Sequence, residues 1–211
     1  MSQGDSEALP PTLPVFTTSD VEIVQREKAW SGFFTIERVD VRHRLYRGGW
    51  SDVLSREIFV RGAAVGVLLV DPDRRELVLT EQFRAGALED ARSPWLLELV
   101  AGMMEAGESP ESVARRETLE ETGLEIDELY PISAYYSSPG GSSEWICLFW
   151  ARVDASRAGG IHGCGNENED IRTVRLPFAE LEDILRSGRL CNAMTLIAAQ
   201  WLILNRDAVF R

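Results

Sequence analysis

Three glutamates, Glu117, Glu120 and Glu121, stand at i, i+3 and i+4 within the stretch 102–124 (GMMEAGESPESVARRETLEETGL). On a helix that spacing puts them on one face, where like charges destabilise unless a cation compensates. Arg116 lies four residues before Glu120 and can pair with it. That leaves Glu117 and Glu121 as a carboxylate pair for a hard divalent cation. Mg2+ takes oxygen ligands and keeps several waters, so one or two carboxylates with phosphate oxygens suffice to hold it. A lone ExxEE is more often a solvated acidic helix face, so the surrounding sequence has to decide.

The elements that would position these residues are readable. Ser109-Pro110 is an N-cap followed by proline at the first helical position, and Gly123 closes the helix. A second, short helix is expected over 178–187, ended by Gly188. Asn192 caps a last helix carrying Met194, Ile197, Ala198, Trp201 and Leu202 at helical spacing. The apolar run 63–70 suits a strand buried on both faces. Residues 76–82 read as its hairpin partner after the turn Asp71-Pro72-Asp73. Further strands are expected at 96–100, 129–137, 144–153 and 171–176. Upstream, residues 34–46 alternate as a half-buried strand does, with a return strand over 51–60. Residues 1–19 read as a tail, 20–60 as a small β-rich N-terminal segment and 61–211 as the main domain. The fold class is α/β (α+β) with a mixed sheet.

The chain has 211 residues and is 45% hydrophobic, enough for one domain with a smaller appendage. Its net charge of −12 makes nucleic acid and anionic membrane poor partners. An anionic substrate needs something cationic between it and the protein, most naturally a divalent metal. Cys147, Cys164 and Cys191 show neither CxxC nor CxxH spacing, which argues against a disulfide framework and against zinc. No basic leader and no long apolar run is present, so the expected location is the cytoplasm. His43 and His162 have no ligand spacing.

The acidic segment resembles the Nudix box: a glycine, five residues, a glutamate, seven residues, then R-E-U-x-E-E-x-G-U, where U is a bulky aliphatic. Gly102, Glu108, Arg116, Glu117, Glu120, Glu121, Gly123 and Leu124 fill those positions. One aliphatic position is Thr118, which can bond back to the helix backbone instead. The resemblance implies the Nudix fold, a mixed β-sheet sandwiched between helices, with the box over 102–124 as a loop–helix–loop. It implies metal-dependent hydrolysis of a diphosphate linked to a nucleoside, with Mg2+ as cofactor and Mn2+ able to substitute. Metal ions neutralise non-bridging oxygens and activate water, which reconciles an acidic protein with an anionic substrate.

Beyond the box, residues 137–144 (SSPGGSSE) and 160–171 (GIHGCGNENEDI) would each alone be a hairpin and a flexible loop. Together with 31–34 (SGFF), 56–59 (REIF), 81–84 (EQFR) and 95–98 (WLLE), they resemble the ADP-ribose pyrophosphatase branch over about residues 20–206. That resemblance implies metal binding by the carbonyl of Ala101 and by Glu117, Glu121 and Glu169. It makes Glu167 the general base, the reverse order of the two loop glutamates being the alternative. Phe33 and Arg56 would sandwich adenine, Arg84 would reach the diphosphate, and Glu57 and Glu144 would hydrogen-bond adenine or ribose. Otherwise Phe33 is a core residue, Arg56 and Arg84 are surface cations, and the loop glutamates keep a loop soluble. The resemblance also implies a homodimer in which each β-rich N-terminal segment lies over the partner's catalytic domain. ADP-ribose would yield AMP and ribose 5-phosphate. The rival readings are hydrolysis of GDP-mannose or ADP-glucose, and a non-catalytic nucleotide sensor.

Overall fold

The structure, a computed structural model, describes residues 15–165 and 168–210. It divides into two units, one running to Val60 and including Gly140–Ser142, the other formed by the remainder from Arg61 onward.

The first unit is an antiparallel meander of β1 (Val21–Ser31), β2 (Thr35–His43) and β3 (Leu54–Val60). Part of the expected tail is ordered. Thr17 caps a single 3-10 turn, Thr18–Asp20, through a reciprocal capping box. Residues 1–14 lie outside the described residues. The alternation over 34–46 marks β2, which stops at His43. β1 left no alternating signature because it is exposed at every position but Glu27. Among the described hydrophobic residues of this unit, Val39 alone is buried.

In the second unit, β4 (Ala63–Asp71) and β5 (Glu76–Phe83) form a hairpin that pairs only over Leu69–Asp71 with Glu76–Val78. The two strands then diverge. The fork is filled by the segment expected as one strand at 96–100, which is in fact two. β6 (Trp95–Glu98) pairs with β5, and β7 (Val100–Met103) pairs with β4. Leu99 lies at the crossing, its N–H donated to Thr195 Oγ1 at 3.1 Å. A strand that changes partner must leave both ladders for a residue, and a side-chain acceptor then satisfies the buried amide.

The helix α1 (Pro110–Thr122) follows, then β8 (Leu129–Tyr136), β9 (Trp145–Arg152), β10 (Ile161–His162), β11 (Ile171–Pro177), α2 (Leu181–Arg186) and α3 (Ala193–Val209). The expected helix over 178–187 begins as a 3-10 turn, Phe178–Glu180, before α2. The strand order is β10-β11-β5-β4-β9-β8, with β4 and β9 parallel. β4 is buried along nearly its whole length, as its apolar run requires. Its side chains alternate between two cores. Val65, Val67 and Leu69 pack with Val113 and Ala114 of α1. Ala64, Leu68 and Val70 pack with Ala198, Ala199 and Leu202 of α3. A mixed sheet between helices is therefore the architecture of this unit. No helix among the described residues is long and apolar enough to cross a membrane.

Candidate active site

α1 is fixed at both ends by its sequence. Ser109 and Ser112 exchange hydrogen bonds at 3.1 Å between side chain and backbone N–H, and Pro110 occupies the first turn. A cap of this kind is worth roughly 1 kcal/mol. Gly123 ends the helix at φ 68°, a left-handed conformation that favours glycine, and donates to Leu119 O at 2.9 Å. Thr118, the residue that departs from the box, is buried and donates its hydroxyl to Ala114 O at 2.7 Å.

The helix lays two carboxylates against β7. Glu117 sits over Gly102 so closely that a Cβ on Gly102 would fall 1.8 Å from Glu117 Oε1. The first glycine of the box is thus the floor of a carboxylate cradle. Glu121 is buried, and Ala101 donates its N–H to Glu121 Oε2 at 3.4 Å. Burial, opposed by Arg116 and reinforced by Glu120 and Glu169, pushes the Glu117 carboxyl up to about 7. Burial, followed by the neighbouring Glu117 charge, pushes Glu121 up to about 8.

Arg116 makes the expected pairing with Glu120 and others besides. Its shortest bond goes to Glu117, with Nη1 2.7 Å from Oε1, and the same nitrogen is 3.3 Å from Glu120 Oε2. Nε and Nη2 each lie 3.4 Å from Glu108. Glu117 was expected to be left to the metal, yet it shares Arg116, whose planar guanidinium offers several donors to the carboxylates around it. The eight-residue interval from Glu108 to Arg116 now has a physical reason. Glu108 accepts from Glu105 N–H at 2.8 Å, closes the loop before α1 and reaches Arg116 across the first turns.

On the other side of β7 lies a cleft of about 580 Å³ lined by Arg61, Arg84, Glu98, Ala101, Gly102 and Glu144, among others. Arg84 Nε donates to the buried carboxylate of Glu98 at 2.8 Å. Arg61 Nε is 3.0 Å from Glu144 Oε1. Glu98 and Arg61 carried no expected role, and Asn192 only that of a helix cap. A solitary acid inside the apolar stretch 95–100 was a usable signal for Glu98. Nothing in the sequence singled out Arg61.

The loop after β10 is tied to the end of α1. Gly163 N–H donates to Glu120 O at 3.2 Å, and Thr173 Oγ1 donates to Glu121 O at 3.4 Å. Glu169 is half-buried and accepts the Cys164 N–H at 3.1 Å. Its charge is near enough to raise both Glu117 and Glu121. Glu167 lies outside the described residues. Phe33, Arg56 and Glu57 belong to the first unit. Phe33, in the turn between β1 and β2, is 94% exposed, so it is not a core residue. Arg56 donates to Ser55 O at 2.8 Å, and Glu57 is an exposed position of β3.

Among the described residues, no three His, Cys, Asp or Glu side chains converge closely enough to ligate an ion as they stand. The donor set nevertheless fits a hard divalent cation. The buried Glu121 carboxylate has a single hydrogen-bond donor among the described residues, an amide at 3.4 Å, and Glu117 and Glu169 crowd it with like charge. Arg116 and Arg84 offset only part of that charge, and a divalent cation would supply more.

The split strand, the capped helix and the cradled glutamates together define a NUDIX domain. The family model for that domain matches residues 60–192, and the chain belongs to this family. It is 46% identical over 201 residues to the ADP-ribose pyrophosphatase of Escherichia coli (strain K12), covering 95% of this chain and 96% of that one. The GDP-mannose pyrophosphatase of Cronobacter sakazakii (strain ATCC BAA-894) is 36% identical over 149 residues, covering 70% and 76%. A solved structure described as an ADP compounds hydrolase superposes with a TM-score of 0.69 at 22% identity. It covers 91% of this chain and 97% of its own, and bears on the fold alone.

Proposed function

We propose that this chain hydrolyses the diphosphate of ADP-ribose to AMP and ribose 5-phosphate in the cytoplasm, with Mg2+, or Mn2+ in its place. The observation that carries the reading is the end-to-end likeness to an ADP-ribose pyrophosphatase, at 46% identity over 95% of the chain. Likeness to the GDP-mannose enzyme spans 70% of the chain. The full set of box glutamates argues against a sensor that binds without turnover.

Glu117, Glu121, Glu169 and the carbonyl of Ala101 would hold the divalent cation. Bound there, it supplies charge neutralisation at the diphosphate and acidifies the attacking water. The protein's own groups do the rest. Arg84, at the cleft, binds the diphosphate. Glu167 accepts the proton of the attacking water as its oxygen bonds to phosphorus and the bridging P–O bond breaks. Phe33 and Arg56 stack on adenine, while Glu57 and Glu144 hydrogen-bond the nucleoside. The protein works as a homodimer with exchanged N-terminal segments. The exposed apolar side chains of the first unit, among them Val21, Ile23, Val24 and Trp30, support this, since a three-stranded sheet with one buried hydrophobic residue needs a further surface to be stable. Nucleic acid and membranes are not partners of a chain with net charge −12.

A panel of ADP-ribose, ADP-glucose and GDP-mannose with Mg2+ tests the reading. The highest kcat/KM is expected for ADP-ribose. A preference for GDP-mannose, or tight binding with no turnover of any compound, overturns it.

A further inference from the structure

We propose that Glu98 is a positioning residue: its buried carboxylate, bridged between Arg84 and Asn192, holds the Arg84 guanidinium so that both terminal nitrogens serve the substrate's diphosphate. The inference rests on the functional reading above, in which Arg84 binds that diphosphate.

Each oxygen of Glu98 has its own donor. Arg84 Nε is 2.8 Å from Oε2, and Asn192 Nδ2 is 2.6 Å from Oε1. Glu98 is 3% exposed, so its oxygens depend on these donors more than on bulk water. An arginine that only neutralised this carboxylate would meet it with its fork, two parallel N–H groups on two oxygens. Here Asn192 takes one oxygen and Arg84 is gripped by Nε. Its Nη1 and Nη2 make no hydrogen bond among the described residues and stand at the cleft.

Asn192 is itself oriented. Its Oδ1 accepts the Thr195 N–H at 3.3 Å as the N-cap of α3, which turns Nδ2 toward Glu98. Thr195 Oγ1 in turn accepts from Leu99 N–H at 3.1 Å. The start of α3 and the strand crossing at Leu99 thus meet at Glu98. A guanidinium held on a rigid support is already in place when substrate arrives, whereas a free arginine must be ordered at each binding event.

The test is a double-mutant cycle on the full-length protein with the best nucleoside-diphosphate sugar of the panel. Arg84→Ala should lose roughly 10²-fold in kcat/KM, the scale for a lost charge-stabilising donor. Glu98→Gln, of nearly the same shape, faces one donor with another and should lose roughly tenfold. In the Arg84→Ala background, Glu98→Gln should cost nothing more. Added guanidinium ion should restore part of the activity of Arg84→Ala and none of the double variant's. Losses that multiply, or equal rescue with and without Glu98, overturn the proposal. Should Glu98→Gln fail to fold, Asn192→Ser keeps the helix cap and removes only the donor to Glu98. Its smaller loss must likewise vanish beside Arg84→Ala, and persistence there overturns the idea. If no panel compound is turned over, the functional reading fails separately. The same variants titrated with inorganic pyrophosphate in metal-free buffer then decide: a shared, non-multiplying loss of affinity supports the role of Glu98, and independent losses refute it.

Discussion

Two carboxylates of this molecule are equally hidden, Asp71 at the end of β4 and Glu121 on α1, at 1% and 2% exposure. They have opposite character. Burial pushes Asp71 up, but the N–H groups of Arg74 and Ala155 and the Arg74 guanidinium outweigh it and hold the carboxyl below its ordinary value. Glu121 has one amide and two neighbouring carboxylates, and burial carries it to about 8. Burial alone therefore does not mark a functional acid. What sets Glu121 apart is burial with few donors and like charge beside it. Asp71, by contrast, closes a turn.

The sharpest way to break this comparison is to remove charge from Glu121. EDTA should abolish activity and Mg2+ restore it. Glu121→Gln should lose at least roughly 10³-fold in kcat, on the scale set by loss of electrostatic stabilisation. Without metal, the same variant should melt no lower than the parent, because the carboxyl, raised to about 8, is already mostly neutral at pH 7. Near-normal turnover, or a large drop in Tm, would put Glu121 in the same class as Asp71. Glu167→Gln should lower kcat by roughly 10²–10⁴-fold with little change in ADP-ribose binding. A mild effect there with a severe one in Glu169→Gln would exchange the two roles. Next in size comes Gly102→Ala. A Cβ 1.8 Å from Glu117 Oε1 must push that carboxylate off its floor, and a displacement of about 1 Å near the chemistry costs on the order of 10²-fold. If the variant keeps full activity, Glu117 does not need its cradle.

The two arginines nearest these glutamates sharpen the contrast. Arg116 is shared among Glu108, Glu117 and Glu120, and Arg84 is held by Nε alone. Inhibition by inorganic pyrophosphate should weaken roughly tenfold in Arg84→Ala. It should scarcely change in Arg116→Ala, where the readout is Tm. Arg116 is partly exposed, so its pairs are worth about 1 kcal/mol together, or about 2–4 °C in a chain of this size. A pyrophosphate effect in Arg116→Ala would show that it too serves the ligand.

Much of this was legible beforehand, for reasons that differ by residue. Capped helices and doubly buried strands leave periodic signatures, so α1, α3 and β4 could be read, as could the box residues whose spacing follows from the helix. The partner switch at Leu99 could not, because strand pairing depends on the divergence of β4 and β5 far away in sequence. β1 was hidden by having no buried face. The sharing of Arg116 turns on rotamers that spacing does not encode. Glu98 could have been suspected from a lone acid in an apolar stretch, but its donors come from Arg84 and from Asn192, 94 residues further on.

Asp71, with no expected effect on turnover, supplies the cleanest control. Its Oδ1 accepts the Arg74 N–H at 2.9 Å, and its Oδ2 accepts Arg74 Nη1 at 2.9 Å and the Ala155 N–H at 2.8 Å. These bonds favour the ionised form, so the folded carboxyl titrates below its ordinary value of 3.8. A group of that kind stabilises the fold fully above its unfolded value. The contribution fades as pH drops below 3.8 and through the folded value. Asp71→Asn keeps an acceptor but turns an amide N–H toward donors, and should cost about 1–3 kcal/mol at neutral pH. Denaturant melts from pH 7 downward should show the parent and variant curves separated by that amount, then converging below pH 3.8. Activity per folded molecule should be unchanged throughout the range where the parent is active. A gap that stays constant through acid would mean that shape rather than ionisation holds the turn. A loss of turnover in the folded variant would mean that Asp71, like Glu121, reaches the chemistry after all.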